Sequence, residues 1–386
     1  MRVWHFSEGA YPFLPPEEEY SSIRVSLPNR IYDPKIGADL YHRFLDEWLY
    51  ADEEGLDIQI NEHHQTPTCV DPAAPIVLGI LARQTKRARL LILGNPIGNR
   101  SQPVRVAEEM AMVDVLSRGR VECGFVRSVP YEIAAGNSNP VRLRERMYEA
   151  LDLIVRAWTT QDGPFSFEGQ YYHHRMVNIW PRPYQQPHPP IWIASTSQQG
   201  VGMVGERGYT LGTFFVGHVE AKKIFDAYRA GWTRAGRGDV TPLDRLGYAC
   251  LVYTGDTDAE GRAGGQKLCW YLSHNKIPLH FRNPPGYIPA AANVQVLRAG
   301  TIGRSEHYVP DLDDLIERGL IFCGNPDTVF RQIKRFYDYV GGFGHVLSMG
   351  QAGFLEHDET LKGIRLLARE VYPRLKELTP ASAAVA

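Results

Sequence analysis

The chain has 386 residues, 44% hydrophobic and 22% charged, with a formal net charge of −2. That leaves room for one large α/β barrel or two ordinary domains and gives no basic field for nucleic acid or an anionic membrane. Five scattered cysteines (Cys69, Cys123, Cys250, Cys269, Cys323) without a C-x-x-C pair argue against a zinc ribbon or disulfide framework. No signal-like start and no apolar run near the roughly 20 residues of a membrane span is seen, so a cytoplasmic protein with reduced thiols is expected.

Residues 1–7 read as a first strand, and residues 8–36, broken by Pro12, Pro15, Pro16, Pro28 and Pro34, as a long irregular excursion of a kind that is usually functional. Leu40, Phe44, Leu45, Trp48 and Leu49 fall at helical spacing, and Gly55 ends that helix. Leu56-Asp57-Ile58-Gln59-Ile60 alternates with period two, as a strand should. It runs into Asn61-Glu62-His63-His64 and a loop closed by Pro67, Asp71 and Pro72. Asp71-Pro72 stands in the cap-then-proline order that opens a helix. Arg89–Leu93 is a continuous apolar run suited to a strand covered on both faces, ending in the turn-rich Gly94–Asn99.

A helix over about 103–116, a strand over Val121–Val126 that ends at Arg127-Ser128, and a helix over 142–158 follow. Residues 160–188, rich in aromatics, histidines and prolines, read as an insertion after the fourth strand. Ile191–Ala194 resumes as a strand, Ser195-Thr196-Ser197 turns into a helix, and Tyr209–Phe215 is a further strand. A helix at about 218–235 and a strand at 246–254 lead to a second insertion, 255–319, after the seventh strand. Leu320–Gly324 then enters a helix, His345–Met349 is the last strand, and 356–377 the last helix. About eight strands alternating with helices, with no linker between them, favour an α/β protein of (β/α)8 TIM-barrel type. Residues 1–386 are expected to form one domain rather than a doubly wound open sheet.

In such a barrel chemistry sits at the C-terminal ends of strands, which singles out the stretch at 61–64. Neighbouring residues of an extended chain point to opposite sides, so His63 and His64 make a poor metal chelate; one is expected to face the site. A core imidazole is the plain alternative for His63, and its strand-end position beside Glu62 favours function. Ser195-Thr196-Ser197-Gln198-Gln199-Gly200 lies between a strand and a helix start, where amides and hydroxyls converge on phosphate, although simple helix capping explains the segment equally well. Arg127 at another strand end supplies the charge for a phosphate, or else a surface ion pair. Gly94-Asn95 is a plain turn or a place where backbone lies against a flat ligand. His173, His174, His188 and His345 read as structural or loop residues. Trp270, Tyr271, Phe281 and Tyr287 line a pocket or pack the insertion. No G-x-G-x-x-G, Walker loop or G-x-S-x-G elbow is present, and Gly261, Gly264 and Gly265 lack the dinucleotide spacing.

Taken in register, the histidine stretch at 61–64, Ser101–Glu108, Asp114–Arg120, Cys123–Arg127 and Pro187–Ala194 resemble the bacterial luciferase-like flavin monooxygenases across most of residues 1–350. The resemblance implies a (β/α)8 barrel that uses oxygen and reduced FMN supplied by a separate flavin reductase, and a homodimer packed through early helices. It implies that His63, with Glu62 beside it, is the catalytic histidine and that Arg127 meets the FMN phosphate. Ser195, Thr196, Ser197 and Gln199 fall on the phosphate-binding turn. Gly94 and Asn95 fall where the family has a non-proline cis peptide under the flavin. Val126 stands where luciferase proper has a reactive cysteine, so nothing argues for light emission. Ser195 replaces an acid of the luciferase turn.

The expected activity is therefore oxygenation of a small organic substrate, with the cofactor carrying the oxygen chemistry, His63 managing protons, and both insertions closing over the site. The alternatives are hydride transfer with a 5-deazaflavin coenzyme, a flavin-binding protein without turnover and, more weakly, a metal-dependent barrel hydrolase, disfavoured by the absence of an H-x-H pair.

Overall fold

The computed structural model describes residues 1–274, 277–288, 290, 294 and 310–378. Its strands, in chain order, are β1 (Arg2–Ser7), β2 (Asp57–Ile60), β3 (Leu90–Asn95), β4 (Val121–Phe125), β5 (Phe165–Glu168), β6 (His173–Val177), β7 (Ile191–Ala194), β8 (Thr210–Phe214), β9 (Leu246–Thr254), β10 (Ile321–Gly324) and β11 (His345–Gln351). Eight of them pair in parallel in the closed order β1-β2-β3-β4-β7-β8-β9-β11, and β11 returns to β1. Helices between successive strands cover the outside, and the result is a (β/α)8 barrel.

The rhythm of eight is exceeded by one strand. β9 is nine residues long and β8 only five, so the first part of β9 pairs with β8, Leu211 to Leu246 through Phe214 to Ala249. The end of the same edge pairs with β10, Ile321 to Leu251 through Gly324 to Thr254. The segment at 320–324 is thus an added strand on the upper half of β9. The helix Asp258–Leu268 beside it explains Gly261, Gly264 and Gly265: a Cβ on them would lie 2.2 Å from Gly324 O, 2.2 Å from the Tyr253 ring and 2.7 Å from Cys323 Sγ. They are a close-packing face.

The barrel interior is filled by Trp4, Leu91, Leu93, Trp192, Ala249 and Leu347. Low in this layer Trp4 Nε1 donates to His345 Nδ1 at 3.1 Å, and His345 Nε2 lies 2.8 Å from Asp244 O. Indole N–H can only donate and a carbonyl can only accept, so His345 is the neutral Nε2–H tautomer. Burial agrees, pushing its pKa down to about 4. Above it Leu93 spans the barrel, admitted by two glycines: a Cβ at Gly124 would sit 2.6 Å from Leu93 Cδ1, and one at Gly212 2.6 Å from Leu93 Cδ2. Leu93 thereby becomes the floor of the space above.

The helices Gln198–Arg207 and Gly217–Arg234 touch backbone to backbone. A Cβ on Gly231 would lie 2.0 Å from Gly202 O, and one on Gly205 2.4 Å from Tyr228 O. Because the clash is with main chain, neither helix can yield by a side-chain rotation. Gly231→Ala should therefore destabilise the fold by about 2 kcal/mol, in the range of other overpacked interiors. Urea unfolding would show this as a lower midpoint, and an unchanged midpoint would contradict the close contact.

Candidate active site

A cavity of about 270 Å³ opens at the C-terminal end of the barrel, over Leu93 and Gly94. Its wall is largely apolar, with Phe6, Val126, Val129, Phe214 and Met349 among its members, and one polar sector holds Glu8, Arg24, Asn61, His63, Glu132 and Tyr271. Strand ends supply most of these: Glu8 follows β1, Asn61 and His63 follow β2, and Val126 follows β4.

His63 sits between two carboxylates. Its Nδ1 is 3.1 Å from Glu132 Oε1 and its Nε2 is 3.7 Å from Glu8 Oε1. Glu132, 2% exposed, also accepts from the His64 amide at 2.9 Å and from Ser128 Oγ at 3.2 Å. Burial opposes its ionisation, but the hydrogen bond and charge of His63 and the His64 amide outweigh it, holding the carboxyl below the ordinary range. Glu8 goes the other way. Burial pushes its pKa up against the pull of His63 and Arg24, while Asn61 Nδ2 donates to its Oε2 at 2.7 Å. An ionised Glu132 accepts at Nδ1, so the neutral imidazole keeps its hydrogen there and turns Nε2 toward Glu8.

Glu62 lines the same cavity, but the acid bonded to the His63 ring is Glu132, not Glu62. The Glu62 carboxylate takes hydrogen bonds from Arg100 and, at 3.3 Å, from the Ala74 amide, and lies 3.1 Å from His64 Nε2. The two adjacent histidines thus diverge, and only His63 lines the cavity. Arg24, 4% exposed, comes from the short helix Ile23–Ser26 in the excursion after β1, with Cζ 5.4 Å from the Tyr131 ring centroid and 5.8 Å from that of Tyr271.

A second cavity of about 380 Å³ adjoins the first, sharing Val126, Val129, Pro130, Ala194 and Phe214 with it. It brings together Arg127, Ser195, Thr196 and Ser197 with Arg144 and Gly200. Ser197 is the N-cap of the helix Gln198–Arg207, yet its side chain makes no capping bond. The hydroxyls and the arginines face one space at the start of that helix, a combination suited to an anion. Tyr287 from the second insertion lies over Arg127, the guanidinium carbon 3.6 Å from the ring centroid, and its carbonyl accepts from Arg127 Nη1 at 3.1 Å.

Several expectations are corrected. The cis peptide lies one bond earlier than Gly94-Asn95, at Leu93-Gly94, inside the break of the β3–β4 ladder between Ile92 and Asn95. Gly94 lines the first cavity, whereas Asn95 is fully buried and lines neither. Gln199 is exposed on the helix and also lines neither cavity. The insertion at 160–188 does not close over the site: its hairpin, β5 and β6, is tied to Glu149 of the helix Leu143–Thr159 through the amides of Gln170, Tyr171 and Tyr172. Of the second insertion, Tyr271, Ile277, Arg282 and Tyr287 reach the cavities, and 275, 276, 289, 291–293 and 295–309 lie outside the described residues. Asp71 caps no helix, because the helix begins at Ala74.

Sequence reasoning passed over Glu8, Arg24 and Glu132. Glu8 obeys the strand-end rule that found His63, but Glu132 is 69 positions from its histidine and no local pattern marks it. Among the described residues no helix is long and apolar enough to cross a membrane.

Four likenesses bear on this geometry. The model of the family described as luciferase-like monooxygenase matches residues 24–342. The chain is 24% identical over 353 residues to 2,5-diketocamphane 1,2-monooxygenase 2 of Pseudomonas putida, across 84% of this chain and 91% of that protein. It is 31% identical over 173 residues to the uncharacterized protein y4wF of Sinorhizobium fredii (strain NBRC 101917 / NGR234), a match spanning 44% of this chain and 48% of that relative. In fold it is similar to the oxygenating constituent of 3,6-diketocamphane monooxygenase of Pseudomonas putida, a type II Baeyer–Villiger monooxygenase in complex with FMN. The TM-score is 0.72 at 18% identity, over 97% of this chain and 98% of that one.

Behind the polar sector, Asp71 is 6% exposed, and burial together with the charge of Glu62 raises its pKa from 3.8 to about 7. The fold thus disfavours the ionised form. The penalty is absent below about pH 4, grows as pH rises to about 7, and is complete above that. Asp71→Asn removes the titration, so its stability relative to wild type should climb across that window. The ceiling is roughly 4 kcal/mol, three pKa units at about 1.4 kcal/mol each. Urea unfolding at pH 5 and pH 8 measures the difference, and a gap independent of pH would refute the assignment.

Proposed function

Because the chain belongs to the luciferase-like monooxygenase family, we propose that it oxygenates a small organic substrate with dioxygen and reduced FMN delivered by a separate flavin reductase. The observation that carries this reading is the junction of the two cavities. One gathers Arg127, Arg144 and the hydroxyls of residues 195–197 around a helix N-terminus, and the other is largely apolar with His63 in its wall.

The residues present fit FMN. Arg127, Ser195, Thr196 and Ser197 would hold its phosphate, and the cavity over Leu93 and Gly94 would take its ring system. A Cβ on Gly94 would come within 3.1 Å of Phe125 C and 3.3 Å of Gly124 O, so a glycine keeps β3 against β4 under that space. When bound, reduced FMN supplies the electrons by which one atom of dioxygen enters the substrate and the other leaves as water.

The chain's own part is proton handling and exclusion of water. Glu132 is a positioning residue: it accepts from Nδ1 and leaves Nε2 as the atom of His63 that takes or gives a proton in the cavity. Glu8 stands next to that nitrogen and, with its pKa raised, is suited to exchanging a proton with it. Phe6, Val126, Val129, Phe214 and Met349 keep water from the same space. A homodimer is part of the reading. Ile76, Met112, Val115 and Leu116 are exposed on the helices Ala74–Gln84 and Pro103–Ser117, where a second copy would cover them.

Equilibrium dialysis with anaerobically reduced FMN tests the cofactor. Wild type should bind, and Arg127→Ala should bind at least about tenfold more weakly through loss of charge-assisted hydrogen bonds. An unchanged dissociation constant, or preference for a 5-deazaflavin coenzyme, would overturn the reading.

His63→Ala should leave reduced-FMN affinity within about twofold while product formation falls by roughly 100-fold or more and hydrogen peroxide is released instead. Glu132→Gln should give a smaller loss with a displaced acid limb of the pH profile. Normal coupling of oxygen consumption to product in His63→Ala would remove that imidazole from the mechanism.

A further inference from the structure

The inward face of β2 carries three polar side chains, Asp57, Gln59 and Asn61, the last just beyond the strand's end, and two of them are spent on the protein itself. Asp57 accepts from Arg2 Nε and the Arg89 amide, both at 2.8 Å. Asn61 donates to Glu8 at 2.7 Å and takes the Cys69 thiol at 3.6 Å. Gln59 differs. It is 2% exposed, lines the cavity that His63 lines, and its Oε1 is buried with no hydrogen-bond partner among the described residues. Its ladder partners are Phe6 and Leu91, neither with a side-chain donor to offer.

A buried amide oxygen without a donor is a standing cost to the fold, and an apolar side chain of similar shape would remove it. At a cavity wall a ligand can supply the missing donor. We propose that Gln59 is a ligand-binding residue whose Oε1 accepts a hydrogen bond from an N–H or O–H group of the molecule in the cavity, and so selects for a donor-bearing ligand. The inference rests on the flavin reading above. The donor can come from the pyrimidine N–H of the flavin or from a hydroxyl or amide N–H of the substrate.

The test uses the full chain and the variants Gln59→Leu and Gln59→Met, the second closer to glutamine in shape. Stability without ligand is measured first. A ligand role predicts melting temperatures equal to or above that of wild type, because an unpaired polar group has been removed. A structural role predicts lower ones in both variants, which would overturn the proposal. Binding is then measured in two arms. In the first, reduced FMN and its N3-methyl derivative are titrated into each protein. If the flavin is the donor, substitution and N3-methylation each weaken binding about tenfold, with little further loss when combined. In the second, FMN-loaded protein is titrated with cyclohexanol and with cyclohexanone as probes. If the donor belongs to the substrate, only the alcohol loses affinity in the variants. A response in either arm supports the proposal, and unchanged constants in both overturn it. Wild-type binding of reduced FMN is the control: its absence would defeat the flavin reading itself, whereas its presence with indifferent Gln59 variants would defeat this inference alone.

Discussion

Three glutamates stand at the C-terminal rim of the barrel with almost no access to water, and the number of donors around each decides what the rim can do. Glu132 receives the His64 amide and Ser128 Oγ and lies against His63 Nδ1, enough to keep a carboxylate ionised where burial alone would neutralise it. Glu62 is held by Arg100, the Ala74 amide and His64. Glu8 has the Asn61 amide and the Tyr271 hydroxyl as donors and the His63 ring 3.7 Å from Oε1, and burial still raises its pKa. The same bonds join the loops after β1, β2 and β4. Satisfying these charges and aiming the imidazole are one physical event.

The floor under that rim depends on residues with no functional group. Leu93 crosses the barrel only because Gly124 and Gly212 lack side chains, and Gly94 stays against β4 only because it lacks one as well. Polar chemistry above the floor is thereby separated from the Trp4, Trp192 and His345 layer below, where each indole N–H has a fixed acceptor and the histidine is neutral. His63 and His345 have different chemistry for that reason. One has a carboxylate on each side at the cavity, and the other is locked between an indole and a carbonyl.

The first insertion is rich in aromatics and prolines and the second is not, and the two serve different surfaces. The first is fastened to Glu149 along the helix Leu143–Thr159, while the second sends Tyr271 into the polar sector and Tyr287 onto Arg127. A backbone amide row matched to a carboxylate and a phenol ring matched to a guanidinium are tertiary pairings. The composition of neither segment specifies its pairing.

By itself the sequence determined the barrel, because period-two and continuous apolar runs alternating with amphipathic helices have few other ways to be buried. It also determined that His63, Arg127 and residues 195–197 lie at strand ends, since in a parallel barrel every such end faces one rim. Tertiary structure alone decided the partners. Glu132 rather than Glu62 holds His63, the cis peptide falls at Leu93-Gly94, Asn95 and Gln199 miss the cavities, and β10 joins the upper half of β9. Periodicity fixes which face of an element is buried. Distances between groups far apart in sequence follow from loop closure and packing, which no local pattern encodes.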